Sequence, residues 1–319
     1  MKRRRARRRS RSARSPIVAL LLASAVVVVA IALILRGDTR SRARHAAASH
    51  HVAGNVATAS TAAAASLPPS TLHTSPPPLA EPSEAPEASP QPIATAAPSP
   101  GAPRLAIIID DCGQWLDTEH GFIALPAALT LSVLPHVRYA TQIAHDADAA
   151  GKGVMLHLPM EPLSGADPGP GRITVAMNDD AITAQVRDDL ASVPLAAGVN
   201  NHEGSRATAD DRVMRAVASV LAERHLFFID SRTGTASVAE RDTVAAGIPT
   251  AGRDVFLDNV ADVDATEAQL RRAAQLAKSH GSAIAIGHPR PTTLIAVRTL
   301  LPELERDGIQ LVLARDLVH

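Results

Sequence analysis

The chain has 319 residues with 32 basic and 32 acidic side chains, yet the balance is uneven along its length. Residues 1–45 hold 13 Lys and Arg against one acid, Asp38, leaving 19 basic against 31 acidic residues in 46–319. A body with a net charge of −12 excludes the basic face that nucleic acid requires, and one cysteine, Cys112, excludes an internal disulfide framework and a multi-cysteine zinc site. Beside the acids Cys112 has the position of a nucleophile, but it reads better as a small buried residue at a strand end.

Residues 1–15 form a basic tail with nine Lys or Arg. It abuts an uncharged apolar run, Ile17 to Leu35, whose 19 residues suffice to cross a bilayer as a helix. The run continues well past Ala23-Ser24-Ala25 and ends at Arg36, longer than the apolar core of a removable leader, so residues 16–36 read as a transmembrane signal anchor. The Arg run alone also suits nucleic acid, but its abutment to a spanning segment argues against that. The excess of positive charge before the anchor puts the N-terminus in the cytoplasm and the body on the far side of the membrane. Residues 37–103 are rich in Ala, Pro, Ser and Thr, and half of the chain's 24 prolines lie between Pro68 and Pro103. Without apolar periodicity this stretch reads as a disordered tether.

From Arg104 the pattern changes. The runs 105–110, 129–135, 153–159, 196–201, 226–230, 282–289 and 309–314 are short, apolar and bounded by turn residues, and they read as strands. Residues 140–151, 178–193, 208–225 and 264–281 carry helical periodicity with caps such as Asn178 and Asp264 and stops such as Gly151 and Gly281. Continuous apolar strands imply a sheet buried on both faces, and their alternation with helices implies parallel βα units. About seven repeats favour an α/β fold of the (β/α) barrel type over residues 104–319. A doubly wound open sheet is the alternative, though no GxGxxG follows the first strand to support a dinucleotide.

In a parallel barrel chemistry gathers where strands end. The first strand stops at Asp110 and Asp111, whose like charges repel unless a cation or a proton shuttle uses them. Later strand ends carry His157, Asn200, Asn201, His202, Asp230, Arg232, His288 and Arg290. One Asp and two His from separate strands suit a catalytic divalent metal with open coordination, and we expect Asp111, His157 and His202 as ligands, with Glu161 as a possible further one. Either acid of the pair is able to serve as base and the other as ligand, because strand neighbours point to opposite faces. His288 suits a general acid. Asn200, Asn201, Asp230, Arg232 and Arg290 suit substrate contacts, with turn-shaping or an ordinary ion pair as the plainer roles. Trp115, the single tryptophan, lies just past the acid pair and is expected as a flat platform for substrate, or else as a plug of the barrel top.

The segments AIIIDDCG, LSVLPH, HLPMEP, GVNNHEGSRAT, FFIDSRT and IGHPRP, in this order, resemble the NodB-type polysaccharide deacetylases. They are most similar to the divergent polysaccharide deacetylase family of bacterial envelope proteins. The resemblance covers residues 104–319. It implies a distorted (β/α) barrel and a metal-dependent amidase, with Zn2+ the usual ion, that removes acetyl from an N-acetylated glycan such as peptidoglycan. It also implies that Asp110 is the base, Asp111 and His157 are ligands, and His288 is the acid. Glu161 stands where the family's second motif has another His, so His202 would supply that ligand. The departure also leaves open a catalytically impaired glycan-binding or scaffold protein on the same fold. With the anchor, the resemblance places the chain as a single-pass protein of the bacterial inner membrane, its C-terminal domain in the periplasm.

Overall fold

The computed structural model describes residues 101–319; the expected basic tail, anchor and nearly all of the linker lie outside the described residues. Among the described residues no helix is long and apolar enough to cross a membrane.

Nine strands form one parallel sheet: β1 (Arg104–Cys112), β2 (Thr130–Val133), β3 (Gly153–Met160), β4 (Gly198–Glu203), β5 (Phe227–Asp230), β6 (Thr250–Gly252), β7 (Val255–Phe256), β8 (Ser282–Gly287) and β9 (Gln310–Val312). Each of the seven apolar runs lies on a strand. The two additions, β6 and β7, are three and two residues long, too short to show a period. Their order is β6-β5-β4-β3-β2-β1-β8-β7, with β9 beside the first residues of β1. Only Arg253 and Asp254 separate the two edge strands β6 and β7, so the chain itself joins the edges of the sheet. The architecture is therefore a parallel barrel with one seam crossed by a short connection instead of a strand ladder. Edge strand β6 is further covered by the backbone of His319, which exchanges hydrogen bonds with Thr250 at 3.1 and 3.4 Å.

The connecting helices are α1 (Leu116–Ile123), α2 (Ala140–Ala149), α3 (Asp179–Ser192), α4 (Asp211–Glu223), α5 (Ala239–Ala245), α6 (Val263–His280) and α7 (Pro291–Arg306). The sequence periodicity marks α2, α3, α4 and α6 and leaves α1, α5 and α7 unmarked. Asn178 caps α3 by accepting from the Ala181 amide at 2.8 Å. Asp262, two residues before the expected Asp264, caps α6 by accepting from the Ala265 amide at 2.9 Å. Gly281 ends that helix at φ 89°, a conformation that glycine adopts without a Cβ penalty.

Alternation along the strands divides the apolar side chains into two cores. Ile107, Ile109, Leu131 and Leu156 pack outward against Ile143, Val186, Val217, Leu270 and Val297 of the helices. Ala106, Ile108, Met155, Ile229, Ile284 and Ile286 face inward and meet Ala314 and Leu317 near the C-terminus. The inward parity then continues to the strand ends, where apolar residues give way to Asp110, His157, Asn200, Ser231 and His288. One face of one sheet thus carries both the barrel core and the polar rim.

Candidate metal centre

β1 does not keep its alternation to the end. Asp111 takes φ 57°, and the pairing of β1 with β2 slips between Ile109 and Cys112. This turn brings Asp111 to the same side as the inward-facing Asp110: Asp110 Oδ2 lies 3.6 Å and Asp111 Oδ1 3.2 Å from His157 Nε2. A non-glycine residue at positive φ is strained and needs support from its surroundings. Glu119 of α1, fully buried, supplies it by accepting from the backbone amides of Gly113, Gln114 and Trp115 at 2.9, 2.9 and 2.8 Å.

The three expected ligands come together. His202 Nδ1 lies 3.0 Å from Asp111 Oδ1 and 3.1 Å from His157 Nε2. Asp111 Oδ1 is buried and has no hydrogen-bond partner, although two ring nitrogens stand beside it. Ligand atoms on a tetrahedral Zn2+ with bonds of 2.0–2.1 Å are separated by about 3.3 Å. The donor set of one carboxylate oxygen and two imidazole nitrogens, close to that spacing, therefore fits a divalent cation with room for a further ligand.

His288 approaches from β8, with Nε2 3.8 Å from Asp111 Oδ2. Its Nδ1 lies 2.9 Å from Asp258 Oδ1, while its backbone amide and the Thr293 hydroxyl donate to Asp258 Oδ2 at 2.8 and 2.7 Å. Asp258, fully buried, went unmarked in the sequence because it follows the two-residue strand β7.

The charges are strongly coupled. Burial pushes the Asp110 carboxyl above its ordinary range, against the lowering effects of His157, His288 and the Asn200 amide. Burial acts in the same sense on Asp111, but the imidazoles of His157 and His202 outweigh it and hold that carboxyl below the carboxylate range. For His288, burial lowers the pKa, yet Asp258, Asp110 and Asp111 together raise it. Cys112 is fully buried, its Sγ donates to the Ile109 carbonyl at 3.2 Å, and burial raises its pKa, as suits a packing residue.

Several expected contacts stand elsewhere. Glu161 is outside the cluster: its Oε2 accepts from the Val175 amide at 2.8 Å, and Arg206 lies 3.6 Å from its Oε1. Asn200 and Asn201 are buried and their amides bond protein groups, so they are not open to a substrate. Asn201 accepts from the Ser231 amide at 2.9 Å and donates to the Glu203 carbonyl at 2.9 Å. Asp230 accepts from the backbone amide of Arg232 at 2.7 Å and from the Ser237 hydroxyl at 2.8 Å, while the Arg232 guanidinium pairs with Glu240 at 2.8 Å. Neither the substrate role nor the plainer Asp230–Arg232 ion pair matches these contacts, which form a turn and a separate pair with Glu240. Arg290 donates to the Asp258 carbonyl at 2.6 Å. Trp115 is 50% exposed at the start of α1 and does not plug the barrel. A cavity of about 190 Å³ opens at Asp111 and His202, with Gln114, Leu134, Pro135 and the Pro168–Pro170 turn in its lining.

Comparison with known proteins identifies the family and the fold. Residues 107–318 match the family described as divergent polysaccharide deacetylase. An uncharacterized protein of Haemophilus influenzae is 37% identical over 209 residues, which is 66% of this chain and 74% of that one. The uncharacterized protein YibQ of Escherichia coli is 36% identical over 218 residues, 68% of each chain. An uncharacterized protein of Agrobacterium tumefaciens, known from its crystal structure, has the same fold at a TM-score of 0.67 and 23% identity, covering 71% of this chain and 93% of its own.

Proposed function

The chain belongs to the divergent polysaccharide deacetylase family, and from that premise we propose that it is a metal-dependent hydrolase removing acetyl from an N-acetylated glycan. The observation that carries this reading is the convergence of Asp111, His157 and His202 from three strand ends, their donor atoms all within 4.8 Å of one another. A carboxylate oxygen 3.0 and 3.2 Å from two imidazole nitrogens is the donor arrangement that a divalent cation takes up.

Asp111, His157 and His202 would hold the ion, Zn2+ being the natural first candidate for this donor set. When bound there, such an ion supplies Lewis-acid polarisation of an amide carbonyl and lowers the pKa of water. Asp110, buried and with a raised proton affinity, takes the proton of the attacking water. His288, its Nδ1 held by Asp258, gives a proton from Nε2 to the departing sugar nitrogen. The cavity beside Asp111 and His202 receives the acyl-bearing unit, and the exposed ring of Trp115 offers a face on which a neighbouring sugar stacks. The anchor-like run at residues 17–35 supports a site of action in the bacterial envelope, tethered to the inner membrane and facing peptidoglycan.

The test is metal analysis of the full chain alongside Asp111→Ala and His202→Ala, together with acetate release from an N-acetylated glycan. We expect one tightly held divalent ion in the wild type, its loss in both variants, and acetate release in the wild type alone. A metal-free wild type that still binds glycan would replace this reading with the glycan-binding scaffold.

A further inference from the structure

Asn200 lies opposite His157 in the β3–β4 register and is fully buried. Its amide meets four polar groups. Nδ2 donates to Asp110 Oδ1 at 2.8 Å and to the Ser231 hydroxyl at 3.2 Å. Oδ1 accepts from the Ser132 hydroxyl at 2.5 Å and lies 2.8 Å from His157 Nδ1.

The chemistry of these partners fixes the arrangement. Nδ2 donates both to Asp110 Oδ1 and to the Ser231 hydroxyl, which sets the nitrogen end of the amide on that side. The amide oxygen is then left to face His157, and an acceptor at 2.8 Å requires a hydrogen on Nδ1. In the neutral ring Nε2 is thereby bare, and Nε2 is the atom that stands beside Asp111 and His202. A flipped amide would set its oxygen against Asp110 and a second donor against Nδ1. Ser132 suits either orientation because its hydroxyl rotates, so the contact with Asp110 decides.

We propose that Asn200 is a positioning residue that ties Asp110 to His157, its Nδ2 holding Asp110 in place and its Oδ1 setting the tautomer of His157 so that Nε2 stays bare for a cation. This rests on reading Asp111, His157 and His202 as a metal centre. It assigns Asn200 a role inside the protein in place of the substrate contact expected from the sequence. A donor for the base and an acceptor for the ligand are both needed from one short side chain, and the two ends of an amide provide them about 2 Å apart.

The test uses the full chain labelled with 15N-histidine and free of metal, with the His157 signal identified by its loss in His157→Gln. Long-range 1H–15N spectra report which ring nitrogen carries the hydrogen. Zn2+ affinity is measured separately by titration. We expect the Nδ1–H form in the wild type. Asn200→Leu should lose that preference and bind Zn2+ about 10–100-fold more weakly. Asn200→Asp keeps an acceptor for Nδ1–H but offers no donor to Asp110. It should therefore retain the tautomer and near-wild-type Zn2+ affinity while acetate release falls about 100-fold. If Asn200→Leu fails to fold, Asn200→Asp decides alone: loss of the Nδ1–H form, or undiminished acetate release, overturns the proposal. A folded Asn200→Leu with the Nδ1–H form and unchanged Zn2+ affinity overturns it as well. A wild type that binds no Zn2+ but loses the Nδ1–H form on Asn200→Leu sinks the metal centre and leaves the tautomer assignment standing.

Discussion

Asp258 shows how much one buried carboxylate decides. It bonds His288 through the ring and the backbone and is itself fixed by Thr293. Burial alone would lower the His288 pKa; Asp258 is the largest of the groups that raise it. The acid form of His288 exists below its pKa, so a raised value carries the proton donor to higher pH. Asp258→Asn removes the charge, and we expect the alkaline limb of the rate profile to move to lower pH, with acetate release about tenfold lower at its best pH. Zn2+ binding should stay at the wild-type level, because Asp258 touches none of the three ligands; a loss of metal in this variant would sink the assignment. Asp258 was invisible in the sequence because two-residue β7 gives no periodic signal. Asp110 and Asp111 were visible because an apolar run halted at them, but which acid faces which partner depends on the positive φ of Asp111, which no pattern of residue types encodes. The buried use of Asn200 and Asn201 was hidden for a related reason. An asparagine at a strand end reads the same whether its amide meets solvent or three neighbouring strands.

At the scale of elements, the segment between β3 and α3 is pinned by α3 itself. His136 Nε2, from the loop after β2, lies 2.9 Å from Asp189 Oδ1 and 3.3 Å from Asp188 Oδ2, and Gln185 donates to Asp189 Oδ1 at 2.9 Å. Gly171, at φ 82°, sits so close that a Cβ there would come within 2.3 Å of Asp189 Oδ1. Asp189 is fully buried and its Oδ2 has no hydrogen-bond partner. Burial pushes its pKa up to about 6, against the hydrogen bonds from Gln185 and His136. The folded state then holds a proton that the unfolded chain releases near 3.8. The stability cost is absent below that pH, grows as pH rises to about 6, and at neutrality amounts to about 3 kcal/mol. Asp189→Asn keeps the acceptor for Gln185 and removes the charge, though its amide donor then occupies the unpartnered place. We expect a net gain of about 1–2 kcal/mol at pH 7, or a melting temperature about 3–6 °C higher, vanishing near pH 4, the ordinary aspartate range. A gain that is the same at both pH values would show that charge burial is not the cause. The same anchoring positions the Pro168–Pro170 turn that lines the cavity, so α3 acts on the site through packing.

For the whole molecule, the barrel was legible where strands were long and apolar, and its seam was not. Seven runs predicted seven strands, while the joining of β6 to β7 through Arg253 and Asp254 follows only from three-dimensional closure. The continuous ladder from β1 to β4 is what gathers Asp111, His157 and His202, which lie on β1, β3 and β4 or at their ends and are adjacent only once the sheet is in register. The unfolded chain has no comparable site, so a cation held there should bind the fold and not the coil. Binding then adds to the free energy of unfolding, by about 2.7 kcal/mol when the free ion is 100 times its dissociation constant. For a domain of this size we expect the melting temperature to rise about 5–10 °C on adding Zn2+ and to return on adding a chelator. Asp111→Ala should fold but show no rise. His120→Ala, which removes an exposed pair with Asp146 2.9 Å apart, should show the full rise. An equal shift in Asp111→Ala would mean that the ion acts elsewhere on the surface, and the convergence of three strand ends would then have a purely structural meaning.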